Sequence, residues 1–200
     1  HQQLHYIAIE KHPLLAEQLQ RSLQCWPELQ ELGDTLLRNY PPPLPGQHCL
    51  LLMSGRVRLD LHFADVEEVL ARLAELPNLQ IDSWYLDGFS PARNPAMWTE
   101  NVYAGMANLS HPGTHLATFS VAGDVRRGLQ AAGFSMEKCA GHGRKREMLR
   151  GVCATTPTPP PPTTTPWHIS PSPSVTARNA LVVGAGLAGA SVAAALARRG

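Results

Sequence analysis

Three carboxylates stand where apolar, strand-like runs give way to loops: Glu10 closing LHYIAI, Asp65 after RVRLDLHFA, and Asp87 after DSWYL. A carboxylate in such a place can do two kinds of work. Glu10 can accept hydrogen bonds from both ribose hydroxyls of a nucleoside cofactor. Asp87, followed by Gly88 where the backbone must turn, can orient an amine and take its proton. Each also has a plainer reading. Glu10 is a favourable charge at a helix N-terminus. Asp65, with Glu68 three residues on, makes a capping box, so that an adenine contact would be an added use of the same loop. Asp87 is a turn former. The residues alone leave both kinds of reading open.

The loop after Asp87, DGFSPARNPAMW, is dense in constraint. Pro91 and Pro95 stiffen it, and stiff loops position substrates. Arg93 offers a planar cation for a phosphate or a base, or else pairs with Glu100 on the surface. Trp98 and Phe89 read first as core residues beneath the loop and second as stacking platforms. Further on, Lys138, Arg144, Lys145, Arg146 and Arg150 face only Glu147 within the run, with Arg126 and Arg127 as possible additions. The formal net charge of +1 conceals this patch. Without interleaved aromatics it suits the phosphates of RNA, or it is a solvated face.

The elements that must position these groups alternate. A strand over LHYIAIE leads to a helix opened by Pro13 and running to about Gln24. Trp26 to Met53, with five prolines, reads as irregular. A strand over Arg56 to Phe63, a helix over Val66 to Leu76 and the strand DSWYLD follow. Then come a helix over Ala96 to Leu109, a turn at His111-Pro112-Gly113, the strand HLATFS and a helix over Ala122 to Ala132 ended by Gly133. Strands near Phe134 to Lys138 and Arg146 to Val152 close the unit as a hairpin-like pair. The pattern predicts an α/β domain, residues 1–152, with a largely parallel sheet and ligands beyond the C-terminal strand ends.

Residues 153–178 turn to Pro, Thr and Ser and read as an extended linker, with recruitment of a PxxP-binding partner as the minor alternative. Residues 179–200 are a strand, a G-x-G-x-x-G turn and an Ala-rich helix, the start of a second dinucleotide-binding unit. Gly184 allows the tight turn, Gly186 lets backbone approach a diphosphate, and Gly189 lets helix pack on strand. The acidic ribose partner expected about 20 positions further on falls beyond Gly200.

Bulk properties narrow the field. At 200 residues and 44% hydrophobic, the chain can hold one packed domain and a piece of another. No run reaches the roughly 20 apolar residues of a membrane-spanning helix. Four scattered cysteines without a C-x-x-C pair suit a reducing cytoplasm. Nine histidines include no pair at ligand spacing, so no metal is expected. With no start methionine or leader visible, both ends read as cuts.

DGFSPARNPAMW, LATFSVAGDVRRGLQAAGF and GHGRKREML, in that order and followed by the linker and the G-x-G-x-x-G turn, resemble the family of bifunctional tRNA 5-methylaminomethyl-2-thiouridine biosynthesis proteins. The resemblance implies a Rossmann-like methyltransferase domain joined to an FAD-dependent oxidoreductase. In that family the flavin domain removes the carboxymethyl group from carboxymethylaminomethyl uridine at the tRNA wobble position, and the methyltransferase then methylates the amine with S-adenosylmethionine. Carried over by motif, Glu10 resembles the ribose-binding acid, Asp65 the acid beside the adenine, and Asp87 the carboxylate at the methyl-transfer site. Gly184, Gly186 and Gly189 resemble the FAD diphosphate loop. Arg93, Arg144, Lys145 and Arg146 are the expected tRNA contacts. Two departures stand out. The family's first strand and its glycine-rich cofactor loop would precede His1, and Ala64 replaces the glycine that commonly precedes the loop acid. A piece lacking that strand is expected to fold poorly and to be inactive alone. The competing expectation is a flavin or nicotinamide oxidoreductase whose N-terminal domain only binds substrate or RNA.

Overall fold

A computed structural model describes residues 3–141 and 146–154. Two sheets carry the fold. The first has the order β1-β3-β2, with β1 over Leu4–Ile9, β2 over Gly46–Leu52 and β3 over Val57–Phe63. Its β1 and β3 are parallel, while β2 and β3 form an antiparallel hairpin. The second has the order β4-β5-β7-β6, with β4 over Ile81–Leu86, β5 over Ser110–Thr118, β6 over Phe134–Ala140 and β7 over Glu147–Cys153. Here β4 and β5 are parallel, and β7 runs antiparallel to both its neighbours. The expected largely parallel sheet is therefore mixed: the parallel pairs β1–β3 and β4–β5 form where helices cross over, β2–β3 and β6–β7 are antiparallel hairpins, and β7 inserts antiparallel between β5 and β6. Among the described residues, β1 and β4 each keep one edge without a strand partner.

The helices are α1 over Ala16–Leu23, α2 over Gln30–Asn39, α3 over Val66–Ala74, α4 over Glu100–Asn108 and α5 over Gly123–Ala131. The last three build the core. Val69, Leu70 and Leu73 of α3, Val102, Tyr103 and Met106 of α4, and Val125 and Leu129 of α5 meet Leu86, Leu116, Phe134 and Leu149 of the second sheet in one buried cluster. Their spacing of three and four residues puts each set on one helical face. Gly105 permits the close approach of α3 and α4, since a Cβ there would lie 3.2 Å from Leu70. The other face of the second sheet is open: Tyr85 is 71% exposed and Val152 39%.

The irregular reading of Trp26 to Met53 is corrected. Pro27 opens a 3-10 turn before α2, the other four prolines sit between α2 and β2, and β2 alternates half-buried with exposed residues over GQHCLLL. The predicted helix over Ala96 to Leu109 is also revised. A short 3-10 turn spans Pro95–Met97, and α4 starts afresh at Glu100 because the Thr99 hydroxyl accepts from the Val102 amide. His111-Pro112-Gly113 lies inside β5 instead of before it. A register shift between Ile81 and Ser83 marks the irregularity, and Thr114 bridges it by donating to the Ile81 carbonyl at 2.7 Å.

Strand β3 of the first sheet buries a polar row. Asp60, 2% exposed, accepts from Arg58 and pairs with His5 at 2.8 Å. Burial pulls the Asp60 carboxyl up, but hydrogen bonds from Arg58, His5 and Cys49 outweigh it and hold the group below the usual carboxylate range. His62, two residues on, is 4% exposed, and among the described residues neither ring nitrogen has a partner. Burial pushes its pKa down from 6.5, Arg72 and His5 push the same way, and Asp60 opposes them. The ring thus stays neutral when folded, whereas the unfolded chain takes up a proton as pH falls below 6.5. Its share of stability is complete above that pH and is lost as pH falls toward the depressed folded value. We expect His62→Leu to raise stability by about 1 kcal/mol near neutrality, because an unpaired buried polar ring is removed. The same change should flatten the loss between about pH 6.5 and the acid limb, read from urea midpoints at several pH values.

Candidate active site

Glu10 and Asp65 come together because β1 and β3 are parallel neighbours and both end here. The Glu10 amide donates to the His62 carbonyl at 2.9 Å, extending the pairing by one residue. Its carboxylate accepts from the His12 amide at 2.8 Å, which closes a tight turn and leaves the group exposed. Lys11, next along, donates to Asp65 Oδ2 at 3.0 Å. Asp65 Oδ1 accepts from the Glu67 amide and caps α3. The expected reciprocal Glu68 contact is absent; Glu68 lies 3.8 Å from Arg72 instead. Lys11 and the α3 amides hold the Asp65 carboxyl below its ordinary range. Tyr40, which sequence reasoning did not single out, completes this corner. Its hydroxyl donates to the Leu14 carbonyl at 3.0 Å, and burial first and Glu10 second push its pKa up.

Asp87 ends β4 and is exposed. One carboxylate oxygen accepts from the Gly88 amide at 2.8 Å, an arrangement that both readings of the residue share. Gly88 has φ of 154°, and a Cβ there would fall 2.4 Å from Met97 Sδ. The flexible Met97 end can give, but the backbone angle is costly for any other residue. Gly88→Ala should therefore destabilise the protein by about 1 to 3 kcal/mol, measured by urea denaturation.

The loop that Asp87 begins returns to the other sheet's helix. Thr99 Oγ1 donates to Glu67 Oε1 at 2.6 Å, and Asn101 Nδ2 to Glu67 Oε2 at 3.3 Å. Glu67 belongs to the first turn of the helix that Asp65 caps, so one end of the Asp87 loop is anchored beside the Glu10–Asp65 corner. Neither Thr99 nor Glu67 was anticipated. The Thr99 N-cap was readable from its type, but its second bond spans 32 positions and has no local signal.

Within the loop, Trp98 is half-buried, donates to the Phe89 carbonyl at 3.0 Å and meets Phe119 edge-on at 6.2 Å. It is a packing residue, as expected. Phe89 is not, being 64% exposed. Arg93 is exposed and forms no pair with Glu100, leaving its guanidinium unpaired among the described residues. The basic patch is partly neutralised: Lys138 pairs with Glu147 at 3.2 Å across the hairpin, Arg150 with Glu137, and Arg127 with Asp124. Arg146 and Arg126 are exposed. Arg144, Lys145, Gly184, Gly186 and Gly189 lie outside the described residues, as does the proposed start of a second domain. Among the described residues no cluster of metal-ligating side chains occurs, and no helix is long and apolar enough to cross a membrane.

Strand ends bearing acids, joined by a stiff loop anchored to a neighbouring helix, are the layout of a nucleoside-cofactor enzyme with a Rossmann-like sheet. Residues 27–154 match the family described as S-adenosyl-L-methionine-dependent methyltransferase, and the chain belongs to that family. It is 50% identical over 197 residues to the tRNA 5-methylaminomethyl-2-thiouridine biosynthesis bifunctional protein MnmC of Chromohalobacter salexigens, covering 98% of this chain and 27% of that protein. The chain thus spans about a quarter of this relative's length. A crystal structure of MNMC2 from Aquifex aeolicus shares the fold, with a TM-score of 0.57 at 21% identity, over 78% of this chain and 46% of that one.

Proposed function

We propose that this chain carries the methyl-transfer part of a cytoplasmic tRNA-modifying enzyme that converts 5-aminomethyl-2-thiouridine at the wobble position to its methylaminomethyl form. An FAD-dependent oxidoreductase part, begun at Gly184, Gly186 and Gly189, supplies the amine from the carboxymethylaminomethyl nucleoside. The observation that carries the reading is the anchoring of the Asp87 loop, through Thr99 and Glu67, to the helix that Asp65 caps. The similarity to MnmC supports the substrate.

The residues present suit the cofactor. Glu10 and Asp65 are acceptors at adjoining strand ends, as a ribose and an adenine require, and Tyr40 closes the corner behind Glu10. Bound S-adenosylmethionine supplies a methyl group on a sulfonium. Asp87 acts on the other reactant. Its carboxylate orients the substrate amine so that the lone pair faces the methyl carbon, and it accepts an N–H proton as the new N–C bond forms and the S–C bond breaks. Pro91 and Pro95 keep the loop in place so that this alignment costs little on binding. Arg93, Arg144, Lys145 and Arg146 hold the tRNA through phosphates.

The test uses the full-length protein with undermodified tRNA and S-adenosylmethionine, followed by nucleoside mass spectrometry. Appearance of the methylaminomethyl nucleoside is expected. Absence of methyl transfer to an aminomethyl-bearing tRNA would sink the proposal, and transfer to another nucleoside would redirect it.

A further inference from the structure

Beside the Asp87 loop lies a cleft of about 460 Å³, within the range of sites that take small ligands. Pro91, Pro95 and Trp98 form one wall, and Tyr103 with α5 from Asp124 to Ala131 forms the other. The Asp87 loop and the start of α5 follow the C-terminal ends of the parallel strands β4 and β5, the side of such sheets where ligands bind, and the cleft extends from there along α5 to Ala131. Glu10, Asp65 and Asp87 do not line it. The cleft is therefore a compartment next to the proposed reaction centre and separate from it.

Its lining has two parts. Proline rings and the Trp98 indole present flat apolar faces. Glu100 and Asp124 present carboxylates, and the one cation in the lining among the described residues, Arg127, is already paired with Asp124. A lining with two acids and one committed arginine repels phosphate. It suits a flat ring with N–H groups at its edge.

Tyr103 adds an independent sign. The residue is 3% exposed, and its hydroxyl has no hydrogen-bond partner among the described residues. Gly128 is what allows the ring to sit there, since a Cβ at 128 would approach ring carbon Cε2 to 2.4 Å. Native proteins seldom leave a buried hydroxyl unpaired, and here the residue that carries it lines a ligand-sized cleft.

We propose that this cleft receives an unstacked nucleobase of the RNA substrate, one flanking the modified nucleoside, held by stacking on the Trp98 and proline wall and by bonds to Tyr103, Glu100 and Asp124. The inference rests on the tRNA reading above. It adds a recognition element that Asp87 and the basic residues do not provide.

The experiment uses the full-length protein and synthetic stem-loop RNAs carrying the aminomethyl uridine, intact or with an abasic site immediately 5′ or 3′ of it. With wild type, an abasic site on one flank should raise KM for RNA about 10-fold, the worth of a stacked base. Tyr103→Phe should raise KM for intact RNA roughly 5-fold, the worth of one hydrogen bond. KM for S-adenosylmethionine should hold and the melting temperature should stay level or rise, because Phe removes only an unpaired buried hydroxyl. Glu100→Gln, at an exposed position, should repeat the RNA effect without any demand on the core. In both variants the abasic penalty should shrink. Wild type that methylates all three RNAs with equal KM, or variants that keep the full abasic penalty, would overturn the proposal. Wild type that methylates no RNA would instead refute the tRNA reading.

Discussion

Full-length protein bearing Asp87→Ala is expected to bind S-adenosylmethionine normally and to lose methyl transfer about 100-fold or more in kcat, the usual worth of a positioned acid–base group. The reasoning starts from placement. Asp87 ends β4 and is exposed, and its only described bond is to the amide of the next residue. Removing the carboxylate therefore takes away little structure. Cofactor affinity should hold because the proposed cofactor acids, Glu10 and Asp65, sit on the other sheet. Asp87→Asn separates the two roles: an amide can still accept a hydrogen bond from the amine, but it cannot take a proton. Recovery by Asn to near wild-type rates would leave orientation alone as the role. Single-turnover rates and cofactor titrations supply both readouts, and a normal rate for Asp87→Ala would falsify any part for this residue in the chemistry.

The largest effect on stability is expected at Phe134. It is among the largest fully buried side chains, 2% exposed at the start of β6, and it belongs to the cluster that α3, α4 and α5 press onto the second sheet. Phe134→Ala should cost about 3 to 5 kcal/mol through lost transfer energy and the cavity left behind. Against a typical domain stability of about 5 to 15 kcal/mol that is a large share. The urea midpoint should fall by roughly 2 M. Phe89→Ala is the control. At 64% exposed it should shift stability by less than about 0.5 kcal/mol.

These two phenylalanines also show what was legible in the sequence. Phe134 was read as the start of a strand from the Gly133 stop before it, and it is. Phe89 was assigned to the core by residue type alone, and type cannot say which way a loop side chain points. Strands β1, β3 and β4 and helices α3 and α5 stood out because their apolar spacing is clean. The hairpin strand β2 was hidden by Pro41 to Pro45 just upstream, which coloured a whole window although they occupy only its middle. The Thr99 cap was present in the letters, but a helix drawn from Ala96 passed over it. Of the candidate site, Glu10, Asp65 and Asp87 do follow strand ends, as a local rule about where strands stop suggests. Tyr40, Glu67 and Tyr103 matter through neighbours far away in the chain, and no window of adjacent residues contains that information.

The Glu67 contacts have an energetic corollary. Thr99 and Asn101 both donate to Glu67, so among the described residues the far end of the Asp87 loop is tied to the helix that Asp65 caps. A ligand reaching from the proposed ribose-binding acid to the proposed amine-binding one spans that tie, so its binding energy is also cohesion between loop and helix. By linkage, whatever tightens the tie should raise ligand affinity, and ligand should in turn protect the loop from opening.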